Sequence, residues 1–323
     1  MYFLMPAPRV TVIIPTRNRA AGAVRAVESV LAQTFGDLEA LVVDDGSTDG
    51  TEAAVRALKD PRVRYERKGP PHSAAAARNH GGRIALAPLI AFNDSGDDWL
   101  PEKLTAQMAA MDALPASVGM VYSSLIRVHR NGQEQRVNSP VFKAGEPDRH
   151  RRALALGVNG IYPQTALIRT AVFRELGGFD QRFRCWEDLE LFIRLAEKWD
   201  LHFVPGHFTR LYDDARGVSR NLDAMFVAHT FLIEKHRAAL GNDPALLVPH
   251  WRSIGRRLIP TKHYAYARMV LWRAVLSRQV KAADLAWLAL SYGGRPVFLL
   301  LAAARRAYWR LTGKAGDLDG HGL

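Results

Sequence analysis

The sequence is poor in the residues that staple, span or chelate. It holds one cysteine, Cys185, in 323 residues, which excludes an internal disulfide framework and fits a reducing compartment. Long hydrophobic runs are missing too. The longest unbroken one, Val297–Ala304, has eight residues, against roughly 20 needed to span a bilayer. The apolar start Met1–Met5 is too short for a secretory signal and lacks a basic head, so no leader is expected. The 11 histidines show no HxxxH or Cys/His spacing suited to zinc. No Gly-x-x-x-x-Gly-Lys-Ser/Thr loop marks a nucleoside triphosphatase. Acids are nearly absent from one stretch: between Arg237 and Lys314 there are 14 Lys/Arg but only Asp243 and Asp284. The rest of the chain balances at 30 basic and 30 acidic residues, so the whole formal charge of +12 sits in the last quarter. Such a split suits a segment drawn to an anionic surface.

What is present is ordinary globular material, 48% hydrophobic and 24% charged, enough for a core. The length is that of about two domains. Strand and helix signals alternate through the first half. Val10–Ile14, Leu38–Val43, Val63–Glu66 and Leu89–Phe92 read as strands. A helix carrying Val24, Val27, Val30 and Leu31, then Thr51–Leu58, Ala74–Leu86 and Glu102–Leu114, read as the helices between and after them. Alternation at this spacing predicts βαβ units and a mostly parallel sheet, an α/β fold. Beyond it, Val118–Ser123 and Leu125–His129 are expected as strands with a turn at Asn131-Gly132, and Gln133–Asn159 as a long loop. Thr170–Leu176 and Glu187–Trp199 are expected helices, and from Met225 onward only helical signals appear.

In an open parallel sheet, ligands bind at the carboxyl ends of the strands where the strand order reverses. Three polar clusters fall at such ends: Pro15-Thr16-Arg17-Asn18-Arg19, Asp44-Asp45-Gly46-Ser47, and Asn93-Asp94-Ser95-Gly96-Asp97-Asp98. The first offers cations and amides and the others carboxylates, a set suited to a phosphorylated, hydroxyl-rich ligand such as a nucleotide. Turn chemistry alone accounts for any one of them; three at the ends of the first, second and fourth strands favour a site.

These clusters, with Val42–Asp49, Ala77-Arg78-Asn79-His80-Gly81, Ile90–Leu104, Gly177-Gly178-Phe179-Asp180 and Glu187-Asp188-Leu189-Glu190-Leu191, resemble in order the motifs of family 2 glycosyltransferases with the GT-A fold. The blocks cover about residues 9–220, two thirds of the chain. The resemblance implies a catalytic domain over 1–224, with a nucleotide half 9–123 and an acceptor half 124–224, and a helical basic region 225–323. It implies that Pro15, Thr16, Arg17, Asn18 and Arg19 line base and ribose. Asp45 then binds the base and Asp44 supports its loop. Arg78 reaches the base or diphosphate, and Asp94 lies near ribose and metal. Asp188, beside Glu187, becomes the general base of an inverting transfer. Acids at a helix start are the competing reading of that pair. One position departs from the pattern, for Gly96 stands where the second acid of the DxD motif belongs. Mn2+ or Mg2+, expected from the family, would then rest on Asp94 and Asp97. Arg216 or Arg220 neutralising the diphosphate is the alternative, and a non-catalytic nucleotide-sugar or glycan-binding protein is the rival.

The implied partners are a nucleotide-sugar donor and a glycan or glycolipid acceptor, with no nucleic acid. The implied place is cytoplasmic, peripheral at the inner face of the cell membrane. Residues 237–314, which interleave tryptophan and arginine, are the segment expected to meet anionic lipid. A solvated basic face and nucleic-acid binding are the competing readings of that segment.

Overall fold

A computed structural model describes residues 7–69, 73–157, 160–213, 222–259, 262–277 and 279–292. Contacts divide the chain into two units, one of residues 1–153 and 157–217, the other of Leu154–Leu156 and residues 218–323.

The first unit opens with β1 (Val10–Thr16), α1 (Ala20–Leu31), β2 (Leu38–Asp44), α2 (Thr51–Arg56), β3 (Val63–Arg67), α3 (Ala74–Ile84) and β4 (Leu89–Phe92). Every residue of β1, β2 and β4 is buried, as expected of central parallel strands covered on both faces. Helix α1 buries Ala23, Ala26, Val27 and Val30 at three- and four-residue spacing. Helix α3 starts at Ser73, whose hydroxyl accepts Ala76 N–H at 3.1 Å. It sits close to its neighbours because Gly81 and Gly82 lack side chains where Ile13 and Phe173 press in.

The chain continues with β5 (Asp98–Trp99), α4 (Lys103–Ala113), β6 (Val118–Val128), β7 (Glu134–Val137), α5 (Arg149–Arg152), a short 3-10 turn Pro163–Thr165, β8 (Ala166–Arg169), α6 (Thr170–Glu175), α7 (Glu187–Lys198) and β9 (Asp200–Tyr212). The sheet order is β3-β2-β1-β4-β8-β6-β9-β5, with β7 on β6. β1 pairs in parallel with both β2 and β4, so the reversal of strand order lies between β1 and β4. β8 runs antiparallel to both β4 and β6.

Two local expectations are corrected, and one strand appears where no element was expected. Val118–Ser123 and Leu125–His129 are one strand, β6, in which Ser124 is satisfied by accepting Ser139 N–H at 3.0 Å. The expected loop Gln133–Asn159 holds β7, paired across the Asn131-Gly132 turn, and the short α5. Strand β9 has no period-2 signature because Pro205-Gly206 interrupts it. The sheet absorbs that interruption as a register shift between Tyr122↔Phe203 and Ser124↔His207.

The second unit contains α8 (Leu222–Lys235), α9 (Arg237–Leu240), α10 (Pro244–Leu258) and α11 (Tyr264–Val275), and residues 282–292 are helical. Its core is Ile254, Leu258, Ile259, Ala267, Val270, Leu271 and Leu288. Asp243 caps α10 by accepting Ala245 N–H at 2.8 Å, with Pro244 in the first turn. Arg252 pairs with the fully buried Asp284 at 2.8 Å. No described helix is long and apolar enough to cross a membrane.

Candidate active site

The loops after β1 and β2 lock onto each other. Asn18 takes a left-handed backbone (φ 51°), a conformation asparagine tolerates. Its N–H donates to Ser47 Oγ at 2.9 Å, and its Oδ1 accepts Thr48 N–H at 2.8 Å. Asp44 is fully buried; it accepts Ser47 N–H at 2.8 Å and the Tyr65 hydroxyl. Its carboxylate is thereby spent on the loop. Asp45, also buried, pairs with Lys68 at 3.3 Å, and its N–H donates to the Thr16 carbonyl at 2.9 Å. Arg17 stands exposed, whereas Pro15 and Thr16 are buried within β1. Arg19 crosses to the β4 loop, donating to the Ser95 carbonyl at 3.1 Å, and Arg25 reaches the Gly96 carbonyl.

A second cluster gathers around Arg78 of α3. Its Nη2 donates to both oxygens of Asp94, at 2.7 and 2.8 Å, and its Nη1 to Glu187 Oε1 at 3.1 Å. The Phe179 ring centroid lies 5.5 Å from the guanidinium. Burial works against the Arg78 charge, but Asp94 and Glu187 outweigh it and raise its pKa. Asp188 follows Glu187 in the first turn of α7 and is half-buried. Burial, then the adjacent Glu187 charge, lifts its pKa well above the ordinary 3.8. The residue ahead, Trp186, takes φ 67°, a costly left-handed conformation for a bulky side chain. Glu190, the third acid of this turn, is structural: it is fully buried and joined to Arg194 at 2.7 Å.

Gln164 has no motif to announce it, yet it sits between the two loop acids. Its Nε2 donates to Asp94 Oδ2 at 2.8 Å and to Asp97 Oδ2 at 3.1 Å, while its buried Oε1 has no partner. Tyr212 N–H donates to Asp97 Oδ1 at 3.1 Å. Burial, then the nearby Asp94 charge, pushes Asp97 up to about 7. Neither Gln164 nor the Tyr212 amide was legible in advance, because both arrive from the second half of the sheet. Trp99 is buried, with the Lys103 ammonium 3.9 Å from its ring centroid. That is packing, not an open stacking surface.

Asp94 and Asp97, the residues expected to hold a divalent cation, are turned onto protein donors, whereas the neighbouring Asp98 has one buried oxygen, Oδ1, without a partner. Both oxygens of Asp94 and both of Asp97 are committed to N–H donors. Among the described residues no three His, Cys, Asp or Glu converge. Gly96 has φ +131°, which only glycine adopts without strain, and a Cβ there would meet Arg19 Nη1 at 3.3 Å. A guanidinium thus faces the position expected for an acid. Arg216 and Arg220 lie outside the described residues, as does the run Val297–Ala304.

The profile described as Glycosyl transferase family 2 matches residues 11–177. Validoxylamine A glucosyltransferase of Streptomyces hygroscopicus subsp. jinggangensis is 34% identical over 220 residues, covering 58% of this chain and 51% of that protein. The Escherichia coli UDP-Glc:alpha-D-GlcNAc-diphosphoundecaprenol beta-1,3-glucosyltransferase WfgD is 33% identical over 122 residues, 38% of this chain and 47% of that one. The chain spans no more than about half the length of these curated relatives. Among solved structures, the Pyrobaculum calidifontis mannosyltransferase PcManGT, determined with GDP-Man and Mn2+, superposes with a TM-score of 0.56 at 18% identity, over 94% of this chain and 88% of that one. At that identity the likeness speaks to the fold. The match spans the loops after β1 and β2 and the Arg78–Asp94 pair, and the chain belongs to glycosyl transferase family 2.

Proposed function

We propose that this chain transfers a sugar, with inversion, from a nucleotide-sugar donor to an acceptor hydroxyl on a glycan or glycolipid, in bacterial cell-surface polysaccharide or glycolipid synthesis at the inner face of the cell membrane. The observation that carries the reading is the Arg78 cluster. One buried cation holds Asp94 and Glu187 together, and beside Glu187 stands Asp188, a carboxylate whose proton affinity is raised. The acceptor oxygen bonds to the anomeric carbon as the bond from that carbon to the diphosphate oxygen breaks. The hydroxyl proton passes to Asp188. Glu187 acts as a positioning residue, through Arg78. Asp45 and the Pro15–Arg19 loop hold the nucleoside, with Asp44 setting the loop. Charge growing on the leaving diphosphate meets Arg78 and Arg19, with Arg216 and Arg220 as further candidates. The glycolipid acceptor named for WfgD supports the acceptor class.

The closed oxygens of Asp97 favour a second reading, a protein that binds nucleotide-sugar or glycan without turnover. Calorimetric titration with UDP, GDP and dTDP, each with manganese and with chelator, tests both together with a transfer assay. Nucleotide binding that survives chelator, with product formed, supports arginine-based neutralisation. Binding only with manganese restores the Mn2+ or Mg2+ expectation at Asp94 and Asp97. Binding without product moves the assignment to the second reading, and no binding removes both.

A further inference from the structure

Helix α11 has the wrong surface for a solvent-facing helix. Its sequence, YAYARMVLWRAV, contains two charged residues, Arg268 and Arg273. Ala267, Val270, Leu271 and Ala274 form the buried face. The opposite face should then be polar, but it carries Tyr266, Met269 and Trp272, 55%, 47% and 43% exposed, followed by Leu276 at 78%. Steps of three, three and four residues put these side chains in one stripe. The exposed Tyr292 extends it, since Trp272 Nε1–H donates to the Tyr292 hydroxyl at 3.1 Å.

The cations sit at the margins of this stripe. Arg268 donates to the Ser291 carbonyl at 3.0 Å and lies 5.0 Å from the Tyr292 ring centroid. By helical geometry Arg268 and Arg273 fall on either side of the apolar line. From 262 to 292 the only acid is Asp284, buried against Arg252. The patch is therefore apolar at its centre and basic at its edge; one exposed acid, Asp223 of α8, reaches the start of α11, where it pairs with His263 at 3.0 Å.

We infer that this face docks on an anionic phospholipid bilayer. Apolar side chains in a stripe gain by entering the acyl boundary, Trp and Tyr suit the headgroup level, and flanking arginines meet lipid phosphates. A nucleic acid would use the arginines and leave Met269 and Leu276 without a partner. A second copy would set like charges against each other. The inference stands apart from the transferase reading, because it uses no residue of the Arg78 cluster.

The test is co-sedimentation of the full-length chain with vesicles of phosphatidylglycerol and phosphatidylcholine, and with phosphatidylcholine alone, alongside sedimentation velocity without lipid. The full-length chain binds the anionic vesicles and leaves the neutral ones. Trp272→Glu/Leu276→Glu weakens that binding by about tenfold or more, with circular dichroism and nucleotide binding unchanged. A second pair, Tyr266→Ser/Met269→Ser, weakens it in the same direction. The inference is overturned if anionic vesicles are not bound, if both pairs bind as the parent does, or if the variants only turn a dimer into a monomer.

Discussion

Arg78 and Asp188 divide the work of the candidate site between structure and chemistry. Replacing Arg78 by Gln leaves Asp94 and Glu187 facing each other without their cation. A fully buried broken pair costs about 3–5 kcal/mol, but Asp94 keeps 31% of its surface, so solvent screening reduces the loss to about 2–3 kcal/mol. Thermal unfolding of Arg78→Gln should therefore shift well below the parent; an unchanged midpoint would show that the cluster is not held by charge. Asp188→Asn should retain nucleotide affinity while lowering transfer by about 10²–10⁴-fold, read as product formed at saturating donor. The raised pKa of Asp188 has a kinetic sign. Only the ionised carboxylate accepts the proton, so the rate should climb with pH along an acidic limb displaced above the ordinary aspartate value of 3.8. A limb at that ordinary value would take Asp188 out of the base role.

Two helices test how closely the elements are fitted. A Cβ at Gly82 of α3 would lie 2.3 Å from Phe173 Cε1, inside the cluster where Phe92, Phe173 and Phe179 rings meet at 5.3–5.6 Å. Gly82→Ala should cost about 1–3 kcal/mol by overpacking, measured by denaturant midpoint. In the second unit, α8 and α10 are joined through His229 and His250. The Leu154 carbonyl can only accept, so His250 carries its proton on Nε2, which donates at 2.7 Å. His250 Nδ1 then accepts His229 Nε2–H at 2.8 Å. Burial holds both rings neutral, with His250 lowered to about 4 and His229 well below its usual 6.5. In the unfolded chain these rings take protons as pH falls below 6.5, so the stability they contribute is present above that value and lost toward pH 4. Hydrogen exchange at α8 and α10 amides should accelerate over that window, and His229→Leu should flatten the dependence.

Charge organises the whole chain unevenly. The excess of +12 lies between residues 237 and 314, while Arg19, Lys68 and Arg78 around the candidate site are engaged with carboxylates or carbonyls at short range and Arg17 alone of the Pro15–Arg19 loop's cations stands exposed. The two should respond differently to salt. Screening shortens the Debye length from about 10 Å at 0.1 M to about 3 Å at 1 M, so binding to anionic vesicles should weaken steeply across that range. Nucleotide affinity, resting on partly buried contacts, should change far less. Parallel titrations at both ionic strengths measure the difference, and equal sensitivity would place the nucleotide on an exposed basic surface instead.

The βαβ alternation, the three strand-end clusters and the helix carrying Glu187-Asp188 were legible in the residues, because β-branched runs, helical spacing and turn chemistry act over a few neighbours. So was the charge of the last quarter, which is composition. Strand β9 was not, since Pro205-Gly206 breaks the local pattern and only pairing with β6 makes it a strand. Gln164 between Asp94 and Asp97, Arg19 facing Gly96, and Glu187 on Arg78 join residues 67 to 109 positions apart. Contacts of that separation leave no mark in local sequence. They exist because the sheet brings the ends of β1, β4 and β9 and the start of α7 to one edge, where burial and neighbouring charge then set which carboxylates keep their protons.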